Sequence, residues 1–365
     1  MKRFVFILII LSVVVLSGCS QDLNKNEIDE VDLIRVLGVD YAKNEYTLTA
    51  LYSTGSGEET SSGNITVLDA SGPSLFEAYE NLKLKNKKNL SLAHASFFLI
   101  GESLAKNGIE PFISYLSRDE TIKMNSLVYI TKNMKASKVI DEAKKKKIMI
   151  QDDLNAMVQK RLERVTRNDN TLLYLLEDIN DKVSDTVIPY LVFDKGNLYM
   201  QGYTAMNRMK LIGYLDEDTS LGIDFFKNIV RTCPIYLEDE IGLQITSVKT
   251  KLKPTLQYDG VLVKVDIDYD SILRNMNLGN TSLSKDEIEA LKRKQNEYIQ
   301  RLIDQAILVT RTLNVDVIEI GKVIMQDEVI WDTISQNKDN YLQYINYDYN
   351  FESRIARSAV AGTWR

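Results

Sequence analysis

A strict alternation of apolar and polar side chains between residues 261 and 269 constrains the fold more than any other feature of the chain. The apolar positions are Val261, Val263, Val265, Ile267 and Tyr269. Because successive side chains of a β-strand point to opposite faces, this period of two predicts a strand with one buried face. Tyr258-Asp259-Gly260 is a turn signal, so we expect residues 243–257 to pair with this strand as a hairpin.

A long amphipathic helix is predicted to follow. Ser284 and Glu287 have the spacing of a capping box, and the helix should run to about Leu313, a length on the order of 40 Å. Its core-facing stripe consists of Ile288, Leu291, Tyr298, Leu302, Ala306 and Val309. A final strand over residues 347–358 is placed to close the sheet.

The first 140 residues alternate between strands and helices. The predicted strands are 34–41, 46–53, 95–100 and 127–131, the first two forming a hairpin, and the predicted helices begin at Pro73 and cover 102–117 and 136–146. Such alternation favours a sheet covered by helices. Residues 53–64 are rich in glycine and serine and are interpreted as a loop.

The middle of the chain is more helical. Leu154, Met157, Val158, Leu162 and Val165 share one helical face, residues 172–179 continue this pattern, and strands are predicted at 187–193, 198–206 and 209–215. The length of 365 residues predicts more than one domain. We expect an α+β protein with three domains, at residues 33–140, 141–230 and 231–365, each with a mixed or antiparallel β-sheet flanked by helices.

The amino terminus has the pattern of an export signal. Lys2 and Arg3 precede an apolar run at residues 4–16, which is too short for a bilayer span of ~20 residues but suits a signal-peptide core. Leu16-Ser17-Gly18-Cys19 has the order of a lipobox. We therefore expect a signal peptide at residues 1–18, a Cys19 carrying S-diacylglycerol and an N-acyl chain such as palmitate, and a polar tether at 19–32. A plain signal peptide and an uncleaved anchor are the alternatives.

The net charge of the chain indicates which classes of partner are disfavoured. The formal charge is −6, and removing Lys2 and Arg3 with the signal lowers it to about −8. Nucleic acid as a partner is disfavoured, because phosphate binding requires a basic excess. A polybasic attachment to anionic lipid is disfavoured for the same reason. Membrane attachment is therefore assigned to the acyl chains, of which two or more are needed for stable anchoring.

Few residues offer catalytic or metal chemistry. His94 is the single histidine, and no nucleophile-elbow motif accompanies it, so a structural role is favoured over a hydrolase triad. One histidine and one remaining cysteine, Cys233, are too few for a common zinc site. Cys233 is interpreted as a buried apolar residue, with a reactive thiol as the alternative. We expect no enzyme activity, no metal and no cofactor.

Four clusters of charged or aromatic residues each allow a structural and a functional interpretation. Residues 216–218 (Asp-Glu-Asp) are interpreted as a solvated turn rather than a calcium loop, because Leu221 replaces the turn glycine. Residues 144–147 (four lysines) are interpreted as an exposed helix end, with a lipid contact as the alternative. Asp266, Asp268 and Asp270 should form the solvated face of a strand, and Tyr341, Tyr344, Tyr347, Tyr349 and Phe351 a core cluster or a partner surface.

Four segments behind the lipobox resemble the Ger(x)C family of spore germination lipoproteins. They are NEIDEVDLIRVLGVDYAKNEYTLTALY, LSLAHASFFLIGESLAKNGIEPFISYLSRD, GYTAMNRMKLIGYLDEDTSLG, and the stretch from Val315 through Trp331 to Ala361. The resemblance implies three α+β domains on the outer face of the spore inner membrane and no catalysis. It also implies partnership with integral-membrane A and B subunits of a germinant receptor.

The family motif includes His94, Gly101, Arg118, Gly202 and Gly213. For these positions tight backbone packing or a local ion pair or helix end is favoured, with partner contact as the alternative. The function expected is that of a non-enzymatic, lipid-anchored receptor subunit required for nutrient-triggered spore germination. A lipid-anchored solute-binding protein of a transporter is the alternative, and a wall hydrolase is disfavoured.

Overall fold

The computed structural model describes residues 31–54, 64–145, 150–180, 185–194, 197–237, 241–275, 284–334 and 340–356. The predicted signal peptide, the predicted lipid acceptor Cys19 and the predicted tether up to residue 30 lie outside the described residues. Val31 and Asp32, which the sequence assigned to the tether, belong instead to the first strand.

The predicted amino-terminal hairpin is confirmed. Strands β1 (Val31–Ala42) and β2 (Glu45–Thr54) pair antiparallel, with Tyr41 opposite Tyr46. Lys43 and Asn44 have φ angles of 52° and 62°, the left-handed values of a two-residue type I′ turn. The connection is thus two residues long, shorter than the predicted four, because both strands extend further than their apolar pattern.

An edge strand and a helix follow the hairpin. Strand β3 (Asn64–Gly72) pairs with β2, and helix α1 (Leu75–Lys85) runs back beside the sheet to the short strand β4 (Asn89–Ser91), which pairs with β1. The Ser74 hydroxyl caps α1 by accepting from the Glu77 amide. Pro73 therefore lies one residue before the cap rather than in the first turn.

The centre of this sheet consists of buried parallel strands. Strand β5 (Phe97–Gly101), helices α2 (Glu102–Asn107) and α3 (Glu110–Leu116), strand β6 (Leu127–Thr131) and helix α4 (Ala136–Lys145) follow in this order. Every residue of β5 and β6 is buried, as expected for parallel strands covered on both faces. The single helix predicted at 102–117 is broken, because Gly108 has a φ of 116° and ends α2.

The middle segment extends the same sheet. It contains helices α5 (Ile150–Arg164) and α6 (Leu172–Asn180) and strands β7 (Thr186–Asp194), β8 (Asn197–Asn207) and β9 (Lys210–Tyr214). Strand β7 pairs parallel with β6, Ile130 opposite Tyr190. The order is β3-β2-β1-β5-β6-β7-β8-β9, with β4 beside β1. A separate sheet for each of three domains was expected, but within the described ranges the chain forms one nine-stranded and one four-stranded sheet.

The second sheet belongs to the C-terminal part. Helix α7 (Glu217–Phe226) leads into β10 (Thr232–Leu237), β11 (Ile241–Gln257), β12 (Gly260–Asn275) and β13 (Ile345–Ala356), which lie in sequence order. Helix α8 (Lys285–Leu313), helices α9 (Ile320–Ile324) and α10 (Glu328–Ile334) and a 3-10 helix (Tyr341–Tyr344) connect β12 to β13. The predicted β11–β12 hairpin is confirmed, with Gln257 opposite Gly260. Strand β13 pairs parallel with β12.

The alternation at residues 261–269 has the predicted effect. Val261, Val263, Val265, Ile267 and Tyr269 are buried in a core that also contains the inner face of α8. Val187 and Tyr203 from the large sheet contribute to this same core, whereas two further cores cover the two faces of the large sheet. The two sheets are therefore packed against each other through shared apolar side chains.

Candidate functional site

His94 lies just before β5 in cationic surroundings. Arg35 Nη1 lies 3.4 Å from His94 Nδ1. Partial burial, and then the positive charges of Lys123 and Arg35, lower the pKa of His94. The ring is therefore neutral at neutral pH and faces cations, which is the opposite of the carboxylate contact that orients a catalytic histidine.

Cys233 lies on β10 inside the C-terminal core. It is 3% exposed, and burial raises its pKa to about 12. Because the thiolate is the reactive species, the thiol is inert at neutral pH. The interpretation of Cys233 as a buried apolar residue is confirmed.

Two of the family-motif glycines are required by space. A Cβ on Gly101 would overlap a carboxylate oxygen of Asp40, which accepts hydrogen bonds from the amides of Ala136 and Ser137 at 2.8 and 3.0 Å. Gly202 faces the carbonyl of Leu215 in the same way. Both positions confirm the structural interpretation.

Lack of space does not explain the other two family-motif positions, Gly213 and Arg118. A Cβ on Gly213 would meet nothing closer than Leu313 Cδ1 at 3.9 Å, so packing does not explain this glycine. Arg118 and Asp119 follow the C-cap residue Ser117 of α3, and their amides donate to the carbonyls of Tyr115 and Leu116. The helix-end interpretation of this pair is confirmed.

The acidic run at 216–218 forms a helix start and not the predicted solvated turn. Asp216 Oδ1 accepts from the Thr219 amide at 2.8 Å and caps α7. The periodicity of α7 was missed because its buried positions include Ser220, Gly222 and Asp224. Throughout the described part of the chain, no three His, Cys, Asp or Glu side chains are grouped so as to hold a metal ion.

The remaining clusters match their structural interpretations. Asp266 and Asp270 lie on the outer face of β12 and pair with Lys253 and Arg354 at 2.7 Å. Lys144 and Lys145 are exposed at the end of α4, and the other two lysines of this run lie outside the described residues. Tyr341 is buried and Tyr347, Tyr349 and Phe351 pack against the core, whereas Tyr344 is exposed.

A buried polar cluster connects three elements that the sequence analysis did not associate. Arg161 of α5 donates to the Tyr203 hydroxyl of β8, which donates to Asp224 Oδ1 of α7 at 2.6 Å. Arg161 Nη1 lies 3.7 Å from Asp224 Oδ2. Burial raises the pKa of Asp224 although Arg161 opposes this shift. The cluster fixes α7 against the large sheet.

Two further ionic contacts connect the middle segment to the C-terminal part. Lys227 binds Asp169 at 2.7 Å and also Glu319. Burial alone would lower the pKa of Lys227, but the carboxylates of Glu319 and Asp169 outweigh it and raise this pKa. Lys322 of α9 binds Asp178 of α6 at 2.8 Å. Together with the Arg161 cluster, these contacts hold the two sheets in one orientation.

The polar and ionic clusters described above serve to pack the elements rigidly and do not form a reaction centre. Within the described ranges, none of the helices combines the length and apolarity that a bilayer crossing requires. Arg161, Tyr203 and Asp224 are bonded to one another, and so are Lys227, Asp169 and Glu319, which suits a structural role.

Comparison with known proteins gives a consistent result. Residues 24–193 match the family described as spore germination protein N-terminal domain, and residues 201–359 match the spore germination B3/GerAC-like C-terminal family. Spore germination protein KC of Bacillus subtilis (strain 168) is 21% identical over an alignment that covers 98% of this chain and 96% of that protein. Putative spore germination protein YfkR of the same organism is 23% identical over 36% of each chain.

A solved structure shares the fold. The crystal structure of the GerBC protein superimposes with a TM-score of 0.57 and 16% identity, covering 87% of this chain and 96% of that one. The similarity extends over both sheets of the described chain.

Proposed function

Because this chain belongs to the GerAC-like family of spore germination proteins, we propose that it is the lipid-anchored C subunit of a germinant receptor. The observation that carries the assignment is the order and extent of the family matches, which run from residue 24 to residue 359. The protein is a non-enzymatic receptor component. It takes part in the response of the spore to nutrients.

The lipid anchor is assigned to Cys19. The lipobox order Leu16-Ser17-Gly18-Cys19 supports this assignment, and the first described strand begins twelve residues after Cys19, at Val31. In the proposed location, the folded part lies on the outer face of the spore inner membrane. The acyl chains hold it there.

Integral-membrane A and B subunits are the proposed partners. Confinement to one membrane face raises the effective concentration of the folded part for docking onto them. The proposed division into three domains, with boundaries near residues 140 and 230, would place the Lys227–Glu319 and Lys322–Asp178 contacts between the middle and C-terminal domains and the Arg161 cluster inside the middle domain. Such contacts support docking as one rigid body.

Deletion of the gene tests the assignment against a solute-binding role in transport. We expect deleted spores to lose germination in response to nutrients while vegetative cells take up the same nutrients at the normal rate. Restoring the gene in trans is the control. Normal germination together with lost nutrient uptake would overturn the receptor assignment in favour of a transporter.

A further inference from the structure

The chain enters the fold beside the turn between α1 and β4. Val31, the first described residue, is paired with Asn89 in the parallel strands β1 and β4. The Asn86 amide nitrogen donates to Asp32 Oδ2 at 2.8 Å, and its oxygen accepts from the Tyr52 hydroxyl at 2.8 Å. These bonds fix the end of α1 at the point where the tether begins.

The surface at this point combines an exposed leucine with lysines. Leu84, in the last turn of α1, is 83% exposed, and Lys87 and Lys88 in the following turn are also exposed. Lys85 Nζ donates to the carbonyl of Asp69 at 2.7 Å, but no described residue bonds the ammonium groups of Lys87 and Lys88. Leu84, Lys87 and Lys88 are called the tether-exit patch below.

The length of the tether favours one side of the molecule. Cys19 to Glu30 is twelve residues, which at ~3.5 Å per residue reach at most about 40 Å when fully extended. Strand β1 is itself twelve residues long, so the opposite end of the large sheet lies about 40 Å from Val31. The opposite end could therefore face the bilayer only with a fully extended tether, which costs conformational entropy, so a lipid attached at Cys19 favours the tether-exit patch on the membrane side of the molecule.

We propose that the tether-exit patch docks on the anionic phospholipid surface that holds the anchor, with Leu84 in the interface and Lys87 and Lys88 on lipid phosphates. The inference rests on the proposed lipid anchor at Cys19. An exposed apolar side chain beside free cations is the composition that favours the interfacial region of a bilayer. Since the mature chain is acidic overall, this local basic surface selects the one orientation in which the large sheet meets the membrane by its Val31 end.

Fluorescence quenching by labelled lipids tests the orientation. The lipidated mature chain is reconstituted into vesicles of phosphatidylcholine and phosphatidylglycerol with a fluorophore on Leu84→Cys or, as control, on Ala42→Cys at the other end of β1. Cys233 is buried and lipidation blocks Cys19, so the introduced thiol is labelled selectively. We expect headgroup-bound quencher to reduce emission several-fold more at position 84 than at position 42.

Charge reversal tests the role of the lysines. Lys87→Glu with Lys88→Glu should reduce the quenching at position 84 to the level found in vesicles of phosphatidylcholine alone, since each lysine near an anionic surface strengthens binding by about fivefold. The matched control is Lys135→Glu with Lys138→Glu, exposed positions beside the opposite end of β1, where Asp40 bonds Ala136. The control should leave the quenching unchanged.

Three results would overturn the inference. Equal quenching at positions 84 and 42, in a chain that floats with the vesicles, excludes the tether-exit patch and leaves the lipid anchor intact. If the chain does not float with the vesicles, both the proposed lipid anchor and the proposed membrane contact of the patch are wrong. Protection of position 84 only in membranes that contain the A and B subunits would assign the patch to a protein partner.

Discussion

The buried carboxyl group of Asp316 holds together three segments of the C-terminal part. Its Oδ1 accepts from the Ile320 amide at 3.0 Å, and its Oδ2 accepts from the Gly321 amide and the Tyr341 hydroxyl at 2.8 and 2.7 Å. Burial raises the pKa of Asp316 to about 6, although these hydrogen bonds oppose the shift. A single carboxyl group thus connects the start of α9 to the 3-10 helix. It titrates near pH 6, where unfolding experiments are practicable.

Asp316 should make stability depend on pH. Because its pKa is higher in the folded than in the unfolded chain, its contribution is fully present below about pH 4 and is lost as the pH rises through about 6. We expect this group to reduce the free energy of unfolding by roughly 3 kcal/mol in total, of which roughly 2 kcal/mol falls between pH 4.5 and pH 7. The Asp316→Asn protein should lack that part of the pH dependence. Urea unfolding of both proteins at pH 4.5 and 7 measures it, and identical pH profiles would contradict the account.

Gly101 and Gly213 provide a matched pair of glycine substitutions. Gly101→Ala places a methyl group against the Asp40 carboxylate that caps α4, and we expect a loss of about 1–3 kcal/mol in the free energy of unfolding. Gly213→Ala meets open space and should change stability by less than about 0.5 kcal/mol. Thermal unfolding compares the two. Equal effects would show that the Gly101 contact is not what requires a glycine there.

Helix α8 begins at the capping box that the sequence predicted. The Ser284 hydroxyl accepts from the Glu287 amide, and the Glu287 side chain accepts from the Ser284 amide at 2.6 Å. The helix ends at Leu313, followed by Asn314 in the left-handed conformation. The inner face of α8 covers the buried face of the alternating strand β12. The two elements with the clearest sequence patterns therefore pack against each other.

Removal of this cap should destabilise the C-terminal part. We expect Ser284→Ala to reduce the free energy of unfolding by about 1 kcal/mol, because one helix amide loses its acceptor. Ser284→Asp restores an acceptor of the right length and should recover most of the loss. The denaturant midpoints of the native protein, Ser284→Ala and Ser284→Asp measure these changes in stability. A Ser284→Asp protein no more stable than Ser284→Ala would show that the hydroxyl acts in some other way.

Elements with strong local signals were predictable, and others were not. Strand β6 and helix α4 agree with the sequence to within one residue, because apolar runs and helical spacing determine them. The break at Gly108 and the start of α7 at Asp216 were missed. The break at Gly108 has a local cause, the positive φ of a glycine that is followed by Pro111 in the first turn of α3. The start of α7 depends on tertiary packing, since its inner face carries small and polar side chains that bond or pack against α8 and β8.

At the scale of the whole molecule, charged contacts between distant segments hold the two sheets together. Arg161, Tyr203 and Asp224 are separated by tens of residues in the sequence, and so are Lys227 and Glu319. No spacing in the sequence indicates such pairs. The pairing of β6 with β7, which joined two predicted sheets into one, was unpredictable for the same reason: strand patterns determine faces but not neighbours.

The Arg161 cluster should be strongly coupled. Arg161→Met leaves Asp224 buried without its cation, and we expect a loss of about 3–5 kcal/mol in the free energy of unfolding at neutral pH. The double variant Arg161→Met with Asp224→Asn removes both charges and should be more stable than the single variant. Lys253→Met at the exposed pair with Asp266 is the surface control and should change little. Additive effects of the two core substitutions would contradict direct coupling.

Cys19, the proposed lipid acceptor, gives the most direct test of the whole account. Spores that carry Cys19→Ser in place of the native residue should show no lipid labelling of this subunit, no subunit in the inner-membrane fraction, and a germination response to nutrients reduced to that of the deletion. Equal amounts of the subunit in whole-spore extracts are the required control. A Cys19→Ser protein that stays membrane-bound in spores that germinate normally would contradict the account.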